Sequence, residues 1–374
     1  MRYFIIAGEK SGDLHGSNLI RGIKHADPDP EIICWGGELM AEAGAKLLMH
    51  YRNLAFMGFV TVLLNAGKVL RNMSLCRKQI KEYLPDVVIL IDFPGFNLRI
   101  AEYSKSLGIR VFYYISPKLW AWKESRVEKV RRFVDRMFII FPFEAEFYRK
   151  HNIHVEYYGN PLVDEIERKK HLFGDRDAMK LALGLDERPI ITILAGSRKH
   201  EVEHILPPML IAARNFKGYQ FILAGVNSIT AGFYKKIAGN ENIRLIVDRT
   251  YELLWISEAA LVKSGTSTLE AALMGTPQVV CYSGDAVSFA IAKRLVKVKY
   301  ISLVNLIGDK QIVMELLQDQ NNPENITIEL KKIIKGGPGR DKMLSDYDEL
   351  GKILGPAGAS DRIALEMVKL LKKS

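Results

Sequence analysis

Cysteine is scarce. Cys34, Cys76 and Cys281 are the only three in 374 residues, and no two stand in a C-x-x-C spacing. That excludes a disulfide framework or a thiolate zinc site and fits buried thiols in a reducing compartment. Long hydrophobic runs are missing as well: no stretch approaches the roughly eighteen apolar residues needed to span a bilayer, so any membrane contact comes from the side. The amino end passes from Met1-Arg2 straight into the strand-like YFIIAG, without a leader's apolar core or cleavage site, so a chain that is not exported is expected. Negative charge is in deficit. Against 53 Lys and Arg stand 43 Asp and Glu, a net charge of +10, which favours an anionic partner such as nucleic acid, acidic lipid or a phosphorylated metabolite.

The composition, 48% hydrophobic and 26% charged, is that of a globular chain. Its length exceeds one ordinary core and predicts two domains of about 150 to 200 residues. Apolar runs of four to seven residues recur between helical-period segments: YFIIA, EIICW, VVILID, VFYYIS and RMFIIF, then IITILA, QFILA, IRLIVD, AALVKS and QVVCYS. Strands alternating with helices imply an α/β fold of parallel sheets covered on both faces. The two halves open alike, YFIIAGEKSGDLHG and ITILAGSRKHEVEH each running from strand through a glycine turn into a helix, so two Rossmann-like domains are expected, with parallel sheets facing across a cleft. The expected limits are 1–163 and 164–354, the boundary falling just past Gly159-Asn160-Pro161. In residues 355–374, an amphipathic helix from about Ser360 to Leu371 is expected to pack back on the first domain. Ligands in such folds bind at the carboxyl ends of the strands.

Several motifs bear on chemistry. In ILIDFPGFN (89–97) a strand ends on Asp92 before Pro94-Gly95 forbids its continuation; the carboxylate is either a turn former or a functional group. In SGTSTLEAALMG (264–275), Gly265, Thr266 and Ser267 lead into a helix whose amides and hydroxyls suit a diphosphate. Ser267 and Glu270 also match a capping box, which needs no ligand. Gly196-Ser197-Arg198 occupies the other glycine turn of the same domain, where Arg198 is either a phosphate ligand or a solvated arginine. His200-Glu201-Val202-Glu203-His204 satisfies H-E-x-x-H, but it starts a helix right after a glycine turn and meets Pro207-Pro208 within one turn, so a charged first turn is the better account than a zinc protease. The D-x-D strings at Asp27 and Asp175 fall in turns, and no metal site is expected. Residues 54–73 concentrate Phe59, Val60, Val62, Leu63 and Leu64 before Lys68 and Arg71, either an interfacial membrane patch or a core helix with a basic rim. Trp120 and Trp122 beside basic residues match no nucleic-acid module.

Taken together, AGEKSGDLHG, IDFPGFN, YYISPKLWAWK, FPFE, AGSRKHEVE, SGTSTLE and YISLVNLIG, in this order over essentially the whole chain, resemble the lipid-A-disaccharide synthase family of bacterial glycosyltransferases. The resemblance implies a GT-B architecture with an N-terminal acceptor domain and a C-terminal donor domain. It also implies an inverting, metal-independent and cofactor-free transfer of 2,3-diacylglucosamine from its UDP ester to the 6-hydroxyl of 2,3-diacylglucosamine 1-phosphate (lipid X), giving a β-1,6 disaccharide 1-phosphate and UDP in lipid A, hence lipopolysaccharide, biosynthesis. By position in the family's motifs Asp92 is the base, and Gly95 stands where many relatives have a second Asp. Arg198, Gly265, Thr266, Ser267, Glu270 and Asn305 bind the UDP donor, with Glu270 on the ribose. Gly8, Ser11 and Gly12 form a loop of the first domain facing the cleft, while His15 is either a contact for the acceptor phosphate or a packed surface histidine, the second being the better account. Acylated substrates favour a peripheral enzyme on the cytoplasmic face of a Gram-negative inner membrane, docked through residues 56–70, with no nucleic-acid partner and self-association left open. The alternatives are a UDP-N-acetylglucosamine 2-epimerase-like enzyme, which would act on a soluble UDP-sugar alone, and a non-enzymatic peripheral lipid- or RNA-binding protein.

Overall fold

The computed structural model describes residues 1–54, 66–117, 119, 126–241, 243–284 and 299–373. The sequence-derived patch Phe59, Val60, Val62, Leu63 and Leu64, with Trp120 and Trp122, lies outside these described residues. The chain divides into two compact units, Met1–Asp164 with Gly355–Ser374, and Glu165–Leu354.

Unit 1 has strands β1 (Arg2–Ala7), β2 (Glu31–Gly36), β3 (Lys46–His50), β4 (Val87–Ile91), β5 (Arg110–Tyr114), β6 (Arg136–Ile139) and β7 (Glu156–Tyr157). Between them run α1 (Lys10–Ala26), α2 (Glu38–Glu42), α3 (Ala66–Tyr83), α4 (Pro94–Ser106), α5 (Val127–Phe133) and α6 (Phe143–Lys150), and α7 (Pro161–Leu172) leads out. The sheet is parallel throughout, in the order β3-β2-β1-β4-β5-β6-β7. Its central strands carry no polar face: Tyr3 to Ala7 and Val87 to Ile91 are fully buried, as a sheet covered by helices on both sides requires. Each such Ile, Val or Leu contributes about 1.5–3 kcal/mol of burial.

Unit 2 repeats the plan. Helix α8 (Arg176–Ala182) precedes β8 (Ile190–Leu194), α9 (Lys199–Ala213), β9 (Gln220–Gly225), α10 (Ala231–Ala238), β10 (Arg244–Val247), α11 (Thr250–Ile256), β11 (Ser257–Lys263), α12 (Thr266–Leu273), β12 (Gln278–Tyr282), α13 (Leu303–Gly308), β13 (Met314–Leu317), α14 (Pro323–Ile333) and α15 (Arg340–Leu354). The parallel order is β10-β9-β8-β11-β12-β13. Helix α9 runs straight through Pro207 and Pro208, so these prolines do not end it as their position suggested.

The chain then returns to unit 1 as α16 (Ala359–Lys372). Asp164 accepts from the amides of Gly358 at 2.7 Å, Ala359 at 3.0 Å and Ser360 at 2.8 Å, satisfying three of the four donors that a helix start leaves open. α16 lies against α1 so closely that a Cβ on Gly22 would stand 2.8 Å from Ala364 Cβ. Arg110 donates to the carbonyl of Leu370 at the other end, at 3.1 Å.

Candidate functional site

In each sheet the strand order reverses direction once, between β1 and β4 in unit 1 and between β8 and β11 in unit 2. The crevice at the carboxyl ends of such a pair is where doubly wound folds take ligands. Ala7 pairs in register with Ile91 and Leu194 with Val262. Gly8 therefore neighbours Asp92, and the Gly196 turn neighbours the turn that follows Lys263.

Asp92 and Phe93 both adopt left-handed backbone, with φ of 44° and 49°, at a cost of about 1 kcal/mol or more each for residues with a Cβ. Neighbours over-determine this turn. The Asp92 amide donates to Tyr114 O at 3.2 Å, and its carbonyl accepts from the Tyr113 hydroxyl at 2.5 Å and from Asn97 Nδ2 at 2.8 Å. Asn97 Nδ2 also reaches Ile91 O at 3.1 Å, and Pro94 supplies a first helical residue that needs no donor. Burial, and next the charge of Asp92, push the Tyr113 phenol well up, so it stays a donor. The half-buried Asp92 is thus fixed at the end of β4 rather than serving as a helix cap, since Phe93 holds that position without a side-chain bond.

Gly8 is needed because a Cβ there would lie 2.3 Å from the Phe93 ring. Gly12 lets α1 lean on β1, its Cβ position being 3.1 Å from that of Ala7, and Ser11 is exposed on the first turn of α1. Asp13, passed over in the sequence, is buried and ties this loop to α2, accepting from Gly37 N at 2.7 Å, Met40 N at 3.1 Å and Leu39 N at 3.2 Å. His15 is buried among packed groups, and desolvation lowers its pKa to about 4 against a small opposing pull from Asp164.

In unit 2, Gly196 has φ +116°, and the turn it makes is held by Glu201. One Glu201 oxygen accepts from Ser197 N at 3.1 Å; the other lies 2.9 Å from Lys263 Nζ and 3.7 Å from Arg198 Nη1. Burial opposes ionisation of Glu201, but Lys263, Arg198 and the Ser197 amide outweigh it and hold the carboxyl below its usual range. The capping box does not form: Gly265 is the N-cap of α12 and Ser267 sits inside its first turn. Ser267 instead bonds the Glu270 carboxylate, which also accepts from the Tyr251 hydroxyl at 2.9 Å. Burial, the largest influence, raises Glu270 above its usual range despite both bonds. Thr266 is exposed at the start of α12.

Asn305 is fully buried with its amide saturated. Nδ2 donates to Val313 O and Glu315 Oε1, both at 2.9 Å, and Oδ1 accepts from Ile312 N and Val313 N at 2.8 and 2.9 Å. Two donors and two acceptor sites are all that an Asn side chain offers, so this residue braces α13 against β13 instead of presenting a free amide to a ligand. Among the described residues no three His, Cys, Asp or Glu side chains converge as a metal cage.

The family model for lipid-A-disaccharide synthetase matches residues 3–351. A lipid-A-disaccharide synthase of Geobacter metallireducens is 34% identical, covering 100% of this chain and 98% of its own length. One from Syntrophus aciditrophicus is 38% identical with 99% and 98% covered. The chain belongs to the lipid-A-disaccharide synthase family. Among solved structures, UDP-GlcNAc 2-epimerase of Neisseria meningitidis, bound to UDP-GlcNAc, superposes with a TM-score of 0.70 at 14% identity, over 99% of this chain and 100% of that one. A glycosyltransferase of Rickettsia africae gives 0.61 at 13% identity over 100% and 99%. These likenesses establish the shared two-domain, Rossmann-like GT-B fold. The synthase family, not the epimerase, is the one whose sequence the chain carries.

Proposed function

We propose that this chain performs its family's transfer with Asp92 as the base, moving 2,3-diacylglucosamine from UDP-2,3-diacylglucosamine onto the 6-hydroxyl of lipid X. As a synthase of this family it is a glycosyltransferase of lipid A biosynthesis that acts on a UDP-sugar and a lipid acceptor. Asp92 takes the proton of the 6-hydroxyl as that oxygen bonds to the donor's anomeric carbon; the bond from that carbon to UDP breaks on the opposite face, and UDP leaves with the electron pair. A general base must be held within reach of its proton, and the observation that carries the assignment is the strained turn fixing Asp92 at the β4 terminus through Tyr113 and Asn97.

The switch point of unit 2 supplies the groups that a departing UDP needs. Arg198 and the α12 start at Gly265, Thr266 and Ser267 offer a guanidinium, amides and hydroxyls to the diphosphate. Glu270, costly to ionise where it lies, gains from two ribose hydroxyls donating to it. Asn305 supports this region as a brace, and Gly8, Ser11 and Gly12 line the β1 side of the Asp92 turn. Docking on an anionic inner-membrane surface is part of this reading: α3 presents Lys68, Arg71, Lys78 and Lys81 with Leu70, which is 64% exposed, directly after the apolar run at 59–64.

The epimerase relationship supplies the competing outcome. With donor and lipid X together the chain is expected to form disaccharide and release UDP in equal amounts, and with UDP-GlcNAc alone to leave the sugar unchanged. Epimerised UDP-sugar without lipid acceptor would reject the transfer.

A further inference from the structure

Lys263 was not among the residues singled out in the sequence, yet it closes β11 one step before the turn assigned to the diphosphate. Its ammonium lies 2.9 Å from Glu201 and 3.9 Å from where a Cβ on Gly265 would stand, at the mouth of α12. Glu201 is nine-tenths buried and bridges the two switch-point turns, holding Ser197 N and Arg198 on the β8 side and Lys263 on the β11 side.

A carboxylate so buried normally marks a structural ion pair, and one cation would suffice for that. Here two cations and an amide converge on it. An ammonium has three N–H donors, so Lys263 keeps donors to spare after meeting Glu201. Arg198 and Lys263 are half and one-fifth exposed respectively, so neither charge is sealed from an incoming ligand.

We propose that Lys263 is a second diphosphate-binding cation and that Glu201 is the positioning residue which holds it in register with Arg198. This rests on the assignment of UDP to unit 2. Charge counting and positioning make opposite forecasts for Glu201→Gln. Removing a negative charge beside an anion site should tighten binding if only net charge matters, whereas losing the bridge should loosen it because two repelling cations drift from the helix mouth.

The experiment is calorimetric titration of the full chain with UDP and, separately, with uridine, alongside steady-state KM for the donor. Lys263→Met is expected to weaken UDP about tenfold, the scale of one charge-assisted hydrogen bond, to raise KM for the donor, and to leave uridine unchanged. Lys263→Arg should keep UDP affinity within about threefold, because charge and donors remain. Glu201→Gln should weaken UDP also. Because Glu201→Gln leaves the Lys263 ammonium without its carboxylate, the double variant Lys263→Met/Glu201→Gln, which removes both charges of that pair, should melt closer to the native chain than Glu201→Gln does and still bind UDP poorly. Native-like UDP affinity in Lys263→Met or in the double variant, tighter binding in Glu201→Gln, or equal loss of uridine and UDP would overturn the inference while UDP binding by the native chain stands. Failure of the native chain to bind UDP would instead remove the assignment underneath and this inference with it.

Discussion

At the scale of single residues, burial works against the charges of His15, Glu201 and Glu270, and their partners decide the outcome. His15 is the simplest case. Its folded pKa of about 4 lies below the ordinary 6.5 because burial disfavours the cation, Asp164 pulling weakly the other way. The unfolded chain therefore binds a proton first as pH falls. The stability that neutral His15 confers is complete above pH 6.5 and is lost between there and about 4, a loss on the order of 3 kcal/mol. Denaturant titrations from pH 7 to 4 are expected to show that slope in the native chain and a shallower one in His15→Leu; identical slopes would contradict the burial argument. Glu201 behaves in the opposite sense. Its carboxyl is held below the usual 4.5, so its contribution is present above that value and disappears only in stronger acid.

At the scale of elements, glycines show which turns are crowded and which are open. Gly8 faces the Phe93 ring at 2.3 Å from its Cβ position, whereas Gly95, in the first turn of α4, has nothing within 4 Å. Gly8→Ala is expected to lower the melting temperature by displacing Phe93, at a cost of about 1–3 kcal/mol. Gly95→Ala should be neutral or stabilising by up to about 1 kcal/mol, because alanine suits a helix. A reversed order would mean that the Asp92 turn is not packed as described.

The same elements explain what could be read from the sequence. The ten apolar runs all became strands: in the central strands burial on both faces demands uninterrupted Val, Ile and aromatic residues, while β10, a half-buried edge strand, was still legible from the apolar run LIV. The edge strands β3 and β13 escaped notice: KLLMH and MELL lack β-branched residues and are only half-buried. Asp92 was legible from the strand break, but Tyr113, which holds it, belongs to a neighbouring strand and no local pattern announces it. Glu201 stood inside a string that mimicked a zinc motif, and only the fold brings Lys263, 62 positions later, to its carboxylate. Ser267 and Glu270 fit a capping pattern, but the helix starts two residues earlier, with Gly265 as its cap, which leaves both side chains to bond each other.

At the scale of the whole molecule, the net charge of +10 bears on where substrate is met. No described helix is long and apolar enough to cross a membrane; the proposed docking combines the apolar run at 59–64 with the cations on α3. Interfacial binding of this kind scales with buried apolar area and with attraction to anionic lipid. Replacing Val62, Leu63 and Leu64 with serine is expected to release the protein from anionic vesicles in sedimentation without lowering its melting temperature. Unchanged co-sedimentation would remove this segment from the membrane reading.

Turnover of the diacyl donor and lipid X by Asp92→Asn, followed as UDP released, bears most directly on the central assignment. Asparagine keeps the size and the turn but cannot accept the hydroxyl's proton, so kcat is expected to fall by at least about a hundredfold with little change in UDP affinity or melting temperature. A variant that folds, binds UDP and turns over at the native rate would contradict Asp92 as the base.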